Sequence, residues 1–348
     1  MRQTHPSEAP AAETPIRARS LDRLGLAMRA SHILALLLLA ACLAFALVAW
    51  RTGDVFYLRL ATEALIFAGL ALSVDILLGY TGLLSLGQAL YFGLGAYASA
   101  VALRGGASFY ATMAIVLGLA LAVSLVGGLI VNRVRGVYFA LITFGMAQVV
   151  AKAVYNTREL GASDGLIGVP VVPIPLGFTT VSSDSPVGFL LFVIGFMAIL
   201  YGAVAYLLDT PFGRLLIALK ANERRVAFLG YRPFAARLAA YVVAGIVAAL
   251  AGALYPMLRG FVSPELLSFG TSGNAVITVV TGGTGTLVGA LYGSLFLTGL
   301  RSVVGSWTHH HLIVIGLLFM AVVVLFPRGL VGLLRDVVQN RILGRARS

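Results

Sequence analysis

Apolar residues along this chain occur in long runs separated by short polar segments. A helix needs roughly 20 predominantly apolar residues to cross a bilayer, so these runs predict membrane-spanning helices. We predict ten spans, at residues 31–50, 57–79, 85–103, 110–131, 137–155, 187–208, 236–258, 268–282, 285–305 and 311–327. The predicted fold class is therefore all-α, a polytopic transmembrane helix bundle.

The eighth predicted span is the weakest of the ten. Residues 268–282 begin Ser-Phe-Gly-Thr-Ser-Gly-Asn and continue with only a short β-branched run, which is too polar and too short for a lipid-facing helix. A broken or re-entrant segment is the alternative, because protein or a water-filled cavity can satisfy its backbone. We retain a crossing, since without it the basic C-terminal tail would emerge on the other side.

The segments outside the spans divide the chain into three parts. Residues 1–30 predict a disordered basic cytoplasmic tail, 31–327 a transmembrane domain, and 328–348 a second basic cytoplasmic tail. Within the middle part, the hydrophilic segment 156–185 predicts an irregular outer lid or docking surface. Segment 209–235 predicts a structured inner loop.

Composition supports a membrane protein and the charge sets its orientation. Apolar residues make up 59% and charged residues 11%, with a mean hydropathy of +0.97, which excludes an ordinary soluble enzyme. Of the 25 Lys and Arg residues, 18 fall in the two tails, in the even-numbered gaps between spans or, for Arg237, just inside the span that follows such a gap. The positive-inside rule then places both termini in the cytoplasm. The net charge of +12 is spread over these short segments, so we expect no nucleic-acid partner.

The inner loop has the pattern of a mechanical element. Asp209-Thr210-Pro211 provides a cap and a first turn, and the spacing between Asn222 and Gly230 predicts a short amphipathic helix that Gly230 ends. Lipid headgroups and another protein are the two possible partners of such a helix. A solvated basic loop that only fixes topology is the third interpretation.

At these residues the chain resembles the coupling loop of the branched-chain amino acid (LivM-type) permease family of ABC importers. A second resemblance lies in Gly79-Tyr80-Thr81-Gly82 and the glycine-rich stretch up to Tyr97. Further motifs match in order from about residue 60 to 331: Gly136–Thr143, Asp164–Pro170, Gly282–Gly289 and Phe326-Pro327-Arg328-Gly329-Leu330.

The resemblance implies an ABC importer subunit in a bacterial inner membrane. Its implied partners are two ATP-binding subunits, a second permease subunit of LivH type, a periplasmic substrate-binding protein and the lipid bilayer. The chain is then no enzyme and binds no cofactor, since ATP is hydrolysed by the partners. The residues implied to couple to an ATPase are Gly213, Arg214, Ala218, Asn222, Glu223, Arg224, Arg225, Ala227 and Gly230.

Two positions depart from the family pattern. Gln88 stands where the family commonly has His, and Ala162 stands where a second Gly is common. Because of these two departures, the transported solute, or passenger, stays undecided. We favour branched-chain amino acids, and the alternatives are urea, amides and aromatic acids. No Gly-x-x-x-x-Gly-Lys-Ser/Thr motif occurs in the chain, which agrees with ATP hydrolysis by a partner.

The translocation path is predicted from the polar residues around residues 79–87. If this stretch is unwound, its backbone and nearby side chains would meet a polar passenger, as in the broken helices of transporters. The predicted path residues are Tyr80, Ser85, Gln88, Tyr91, Thr143 and Asn274. The competing interpretation is close helix packing by the small residues of the next span, Gly87, Gly93, Gly95 and Ala96.

Two acidic residues in the second span carry the alternative from another class. Glu63 and Asp75 lie roughly 18 Å apart along a helix and so do not form one site. Either could couple transport to a cation gradient in a secondary transporter. Asp75 could instead cap or pair locally. We predict no metal site, because the adjacent residues of His309-His310-His311 point in different directions on a helix.

Overall fold

The structure is a computed structural model that describes residues 15–175 and 180–307, with short runs at 313–314, 316–317, 320 and 329–332. Residues 1–14, the run His309–His311, most of the predicted tenth span and most of the C-terminal tail lie outside the described residues.

In the described part of the chain the helices follow one another with short connections. They are α1 Pro15–Thr52, α2 Val55–Asp75, α3 Gln88–Arg104, α4 Phe109–Val131, α5 Val137–Asn156, α6 Pro186–Asp209, α7 Pro211–Ala221, α8 Glu223–Phe228, α9 Pro233–Ala253, α10 Tyr255–Arg259, α11 Phe269–Gly282 and α12 Val288–Trp307. A π-helix, Ile76–Thr81, extends α2, and 3₁₀ turns occur at Arg158–Leu160 and Pro264–Leu267.

Four short strands lie in two of the connections, between α5 and α6 and between α10 and α11. They are β1 Leu166–Ile167, β2 Pro173–Pro175, β3 Thr180–Ser182 and β4 Phe261–Val262. β1 pairs with β4 and β2 with β3, both antiparallel. Both pairs lie at the end of the bundle opposite α7 and α8. We call these two ends the α8 end and the strand end.

The predicted transmembrane bundle is confirmed. Seven helical segments in the described part are long and apolar enough to cross a membrane: 32–51, 55–81, 109–131, 137–156, 186–209, 233–259 and 288–305. Two further predicted spans correspond to α3, with 17 residues, and α11, with 14. At 1.5 Å per residue α11 is about 21 Å long, short of the ~30 Å hydrocarbon core, as its polar sequence suggested.

Three predicted boundaries differ from the structure. α1 begins at Pro15, so the boundary drawn at residue 30 falls inside a continuous helix. The predicted span 236–258 is two helices, because Pro256 lacks an amide hydrogen and its ring crowds the preceding turn. The predicted span 85–103 starts only at Gln88, after an irregular stretch.

Helix α2 lies at the centre of the bundle and packs against α6, α9, α11 and α12. Beside it α3 crosses α9 at backbone contact. A Cβ atom at Gly95 would overlap the Ala249 backbone, and one at Gly252 would overlap the Phe92 backbone. Small residues are needed at both crossings, so the packing role that the sequence suggested for the glycines of α3 holds here.

The α3–α9 contact gives a first prediction. Gly252→Ala places a methyl group against the Phe92 backbone and should lower the folded-state stability by about 1–3 kcal/mol. The control is Gly202→Ala on α6, where nothing lies within 4 Å of the new Cβ. There the helix propensity of Ala should leave stability unchanged or raise it by up to ~1 kcal/mol. Thermal melting of the purified chain in detergent measures both, and equal melting of the two variants would contradict the close crossing.

Candidate functional site

The α8 end carries a helical hairpin between α6 and α9. The Thr210 hydroxyl accepts a hydrogen bond from the Phe212 amide at 3.3 Å, and Pro211 fills the first turn of α7. Gly213 lies against the Leu208 carbonyl with no room for a side chain. The cap and the glycine together fold α7 back sharply from the end of α6.

Helix α8 is the short helix predicted from the sequence. The Asn222 side chain caps it by accepting from the Arg225 amide at 3.0 Å. Val226 is buried against the bundle, and Gly230 turns the chain with a φ of +84°. A left-handed φ favours glycine, so Gly230 ends the helix as its position predicted.

An ionic cluster holds α8 on the bundle. Glu223 bonds Arg135, in the turn between α4 and α5, at 3.0 Å, and Arg237 of α9 at 3.4 Å. Arg237 also donates to the Asn132 carbonyl at 3.3 Å. Glu223 therefore faces its own chain. Arg135 and Arg237 were not predicted as partners of Glu223, because they lie in other segments of the chain.

The opposite side of α8 is exposed. Phe228 is 90% and Leu229 72% exposed, and Tyr231 follows them in the exposed turn. We call these three side chains the apolar tip. None of the three was among the predicted coupling residues. Of those that were, the structure leaves exposed Arg214, Ala218, Asn222, Arg224, Arg225, Ala227 and Gly230, while Gly213 is buried.

Behind α7, a buried carboxylate joins α2 to the turn between α11 and α12. Asp75 is fully buried and accepts from the Gly285 amide at 2.6 Å and the Leu287 amide at 2.9 Å. It thus satisfies two backbone donors where the chain is not helical. Asp75 therefore acts as a cap, but the turn that it caps is 210 residues away in the sequence and is not the local one that was expected.

Lys220 connects α7 to the same place. Its Nζ atom donates to the Gly79 carbonyl at 2.7 Å. Gly79 lies so close to Gly285 that a Cβ atom on it would sit 2.6 Å from the Gly285 nitrogen. We call Asp75, Gly79, Lys220, Gly285 and Leu287 the inner clamp. The clamp brings α7, the end of α2 and the α11–α12 turn into one contact.

The chain is unwound between α2 and α3, as the glycines of residues 79–87 suggested. After the π-helix, Gly82 has a φ of +72° and the backbone is irregular up to Gly87. Hydroxyl groups satisfy its amides: Leu86 donates to Thr143 at 3.2 Å, Gly87 to Ser85 at 3.3 Å and Ala89 to Ser272 at 3.0 Å. These backbone amides therefore already have hydrogen-bond partners within the protein. Ser272 was not found from the sequence.

The predicted path residues lie in separate places. Ser85 and Gln88 are buried at the start of α3, beside the buried Thr143 of α5, and the Oε1 atom of Gln88 has no hydrogen-bond partner among the described residues. Tyr91 is buried further along α3. Its hydroxyl group donates to the hydroxyl of Tyr241 on α9, at 3.1 Å.

The two remaining predicted path residues lie on other helices. Tyr80 is half-buried in the π-helix. Asn274 of α11 accepts from Arg301 of α12 at 2.6 Å, beside a cavity near Glu63. No cluster of three or more metal-ligating side chains occurs in the described part of the chain.

Comparison with known proteins identifies the family. Residues 56–323 match the model of the branched-chain amino acid transport system permease component. The chain belongs to this family. It is thus a multi-pass, ABC-type permease subunit, whose family works with ABC ATPases and substrate-binding proteins.

The relatives that the chain matches include branched-chain amino acid permeases and autoinducer 2 permeases. The high-affinity branched-chain amino acid transport permease LivM of Escherichia coli K12 is 27% identical over 87% of this chain and 75% of its own length. The autoinducer 2 import permease LsrC of Yersinia pseudotuberculosis is 29% identical, over 71% of both chains. No solved structure matches the chain significantly.

The inner clamp of this permease gives a second prediction. Asp75→Asn turns one acceptor oxygen into a donor, so either the Gly285 or the Leu287 amide loses its partner inside the bundle. A buried donor without a partner costs about 1–3 kcal/mol, so the free energy of unfolding should fall by that amount. The measurement is the melting temperature in detergent, which should be lower. The exposed loop residue Asp164 provides the control, Asp164→Asn, which should melt like the unaltered chain. A melting temperature for Asp75→Asn equal to that of the control would refute the clamp.

Proposed function

We propose that this chain is the membrane-spanning permease subunit of a branched-chain amino acid importer in a bacterial inner membrane. Partner ABC ATP-binding subunits drive it from the cytoplasm, a LivH-type permease completes the membrane unit, and a periplasmic binding protein delivers the solute. Both termini lie in the cytoplasm, together with the α8 end. Sequence similarity to LivM proteins supports the passenger.

The charge at the α8 end supports this orientation. Arg214, Lys220, Arg224, Arg225 and Arg232 are all exposed there. Short membrane loops rich in Lys and Arg stay on the cytoplasmic side. The ATP-binding subunits, which need cytoplasmic ATP, would meet this end of the permease.

The observation that carries the proposal is the apolar tip on an anchored helix. Phe228 and Leu229 project from α8, while Glu223 and Val226 on its other side fix it to the bundle. A large aromatic side chain left in water gains most from burial in a partner's pocket. These contacts hold α8 rigidly on the bundle. A force applied to the apolar tip would therefore move the bundle, whereas a flexible loop would bend instead.

The contacts behind α8 and α7 supply two routes for that push. Through Glu223 it reaches α9 and the turn between α4 and α5. Through Lys220 it reaches Gly79, beside Gly285, at the inner clamp. Closure of the ATP-binding subunits would thus shift the unwound ends of α2 and α11 together and reorient the helices around the path.

The carboxylates needed by the ion-coupled alternative are already engaged. Asp75 accepts two backbone hydrogen bonds, and Glu63 bonds Arg259 at 2.5 Å. A coupling carboxylate has to give up its protein partners to bind a proton or a bare metal cation in each cycle, and these bonds oppose that exchange. Their pairing therefore favours the ATP-driven proposal.

The LsrC relatives support a second passenger. Their names state import of autoinducer 2, and they match 71% of this chain. Comparing uptake of leucine with uptake of autoinducer 2 by the assembled transporter distinguishes the two passengers.

The apolar tip gives a third prediction. Replacing Phe228 and Leu229 by Ser should weaken binding of the ATP-binding subunits by about 2 kcal/mol or more, roughly thirtyfold, because both side chains would be buried in the complex. Co-purification from native membranes and a titration with the purified ATP-binding subunit measure the loss. The control replaces Ile167 and Val171, which are exposed at the strand end, by Ser. Retention of the ATP-binding subunit by the tip variant, at control level, rejects the apolar tip as its docking site, and absence of an ATP-binding subunit from the unaltered complex rejects the proposed function.

The lysine of the inner clamp gives a fourth prediction. Lys220→Met keeps an unbranched stem beside Gly82 but removes the charged donor to the Gly79 carbonyl, a bond worth about 1.5–3 kcal/mol. We expect the complex to assemble and hydrolyse ATP, while the leucine moved per ATP falls. The matched control is Lys152→Met, which alters the chain's other lysine, exposed on α5. Vesicles with partner subunits give both rates, and an unchanged ratio in Lys220→Met excludes this route.

A further inference from the structure

A cavity of about 390 Å³ lies between α2, α11 and α12, away from the inner clamp. Its volume is within the range of small-molecule sites. Phe67, Leu70 and Leu297 form apolar parts of its wall, and Glu63, Asn274 and Arg301 provide polar groups. An apolar pocket with a few polar groups is what a small amphipathic solute requires.

Arg301 is the unusual group in this cavity. It lies in the membrane-spanning segment 288–305, about one turn before that segment ends, and is exposed; an arginine inside a span is a candidate functional group. Its Nη2 atom donates to the Asn274 Oδ1 atom at 2.6 Å, but the amide carries no charge and leaves the guanidinium unneutralised. Among the described residues no carboxylate lies within 4.0 Å of it. The sequence between Leu266 and Arg335 holds no Asp or Glu.

The direction of the Arg301 side chain separates a ligand site from a membrane anchor. A snorkelling arginine extends to the nearest interface. On a helix the Cα–Cβ bond tilts toward the N-terminus, which for α12 is the α8 end, so Arg301 starts toward the middle of the bundle. Its bond to Asn274 holds it against α11, where it lines the cavity.

Glu63 stands on the α2 wall of the same cavity. Arg259 bonds its Oε2 atom at 2.5 Å, which neutralises the carboxylate and holds it in place. The Oε1 atom remains able to accept a hydrogen bond from an ammonium group. The cavity thus offers a guanidinium, a carboxylate oxygen and an apolar wall.

We propose that this cavity binds a small zwitterionic carboxylate, with Arg301 bonding its carboxylate group. The ammonium group bonds Glu63, and an aliphatic side chain packs on Phe67, Leu70 and Leu297. Asn274 is a positioning residue that aims the guanidinium. This inference rests on the proposed function, because it names where the passenger sits in the permease. It also favours an amino acid over a passenger without a carboxylate.

Binding measurements on the membrane complex test the site. The complex of permease and ATP-binding subunits, without the periplasmic protein, is placed in phosphatidylcholine nanodiscs. Leucine is compared with leucinamide, which lacks the carboxylate, and with 4-methylpentanoate, which lacks the ammonium group. Charged hydrogen bonds contribute enough for at least a roughly tenfold preference for leucine over leucinamide.

We expect Arg301→Gln to remove that preference by weakening leucine binding at least tenfold, with leucinamide binding unchanged. Glu63→Gln should reduce the preference for leucine over 4-methylpentanoate. Arg301→Lys keeps the charge and should retain part of the carboxylate preference. The control Arg104→Gln alters an exposed arginine at the end of α3 and should behave like the unaltered complex. Elution profile and melting temperature show that each variant is folded, and a purely structural role of Arg301 would not change the ligand ratio.

Three results would overturn the inference. The unaltered complex could bind leucine no better than leucinamide, or Arg301→Gln could leave the ratio unchanged. Alternatively, in nanodiscs containing phosphatidylglycerol, Arg301→Gln could lose bound lipid while leucine binding stays the same, which would make the cavity a lipid phosphate site. Each of these leaves assembly with the ATP-binding subunits intact, whereas failure of the proposed function abolishes that assembly.

Discussion

Backbone that leaves the helical state inside a bilayer has to find its hydrogen-bond partners within the protein, because lipid offers none. This permease has such backbone between α2 and α3 and around both ends of α11. Side chains meet the requirement one amide at a time: Asp75 at the turn before α12, and Thr143 and Ser272 at the start of α3. These bonds fix the positions of α3 and α11, because neither helix is long enough for the thickness of the membrane to fix it.

The same bonds connect parts of the molecule that an uninterrupted bundle would keep apart. Lys220 on α7 reaches the Gly79 carbonyl only because the π-helix presents it at the end of α2, close to Gly285. An unbroken α2 would direct its carbonyls along its own axis. Unwinding therefore creates the contact through which a movement of α7 reaches α2 and the α11–α12 turn, and the fully buried Asp75 keeps the two together.

The sequence predicted what depends on local pattern and missed what depends on distant partners. Hydropathy located the spans, and the cap at Asn222 with the glycine at Gly230 located α8 to within a residue or two. Nothing local distinguishes Ser272 or Arg237 from other polar residues. Their roles arise because folding places them beside Ala89 and Glu223. Tyr91 carried an ambiguous signal, since a polar aromatic residue beside glycines is equally suited to a path and to packing, and its hydroxyl contacts Tyr241 in the core.

Helices α2 and α12 run through both halves of this arrangement. α2 carries Glu63 on the cavity wall and ends at Asp75 in the inner clamp, and α12 carries Arg301 on the cavity wall and begins just after Leu287 in the same clamp. A helix transmits a tilt at one end to the other because its hydrogen bonds make it stiff along its length. A shift of the inner clamp by α7 would tilt α2 and α12 and so change the separation of Glu63 and Arg301. The affinity for a zwitterion bound between them would change with it. A mechanical signal at the α8 end would in this way release a ligand near the strand end without any side chain contacting both.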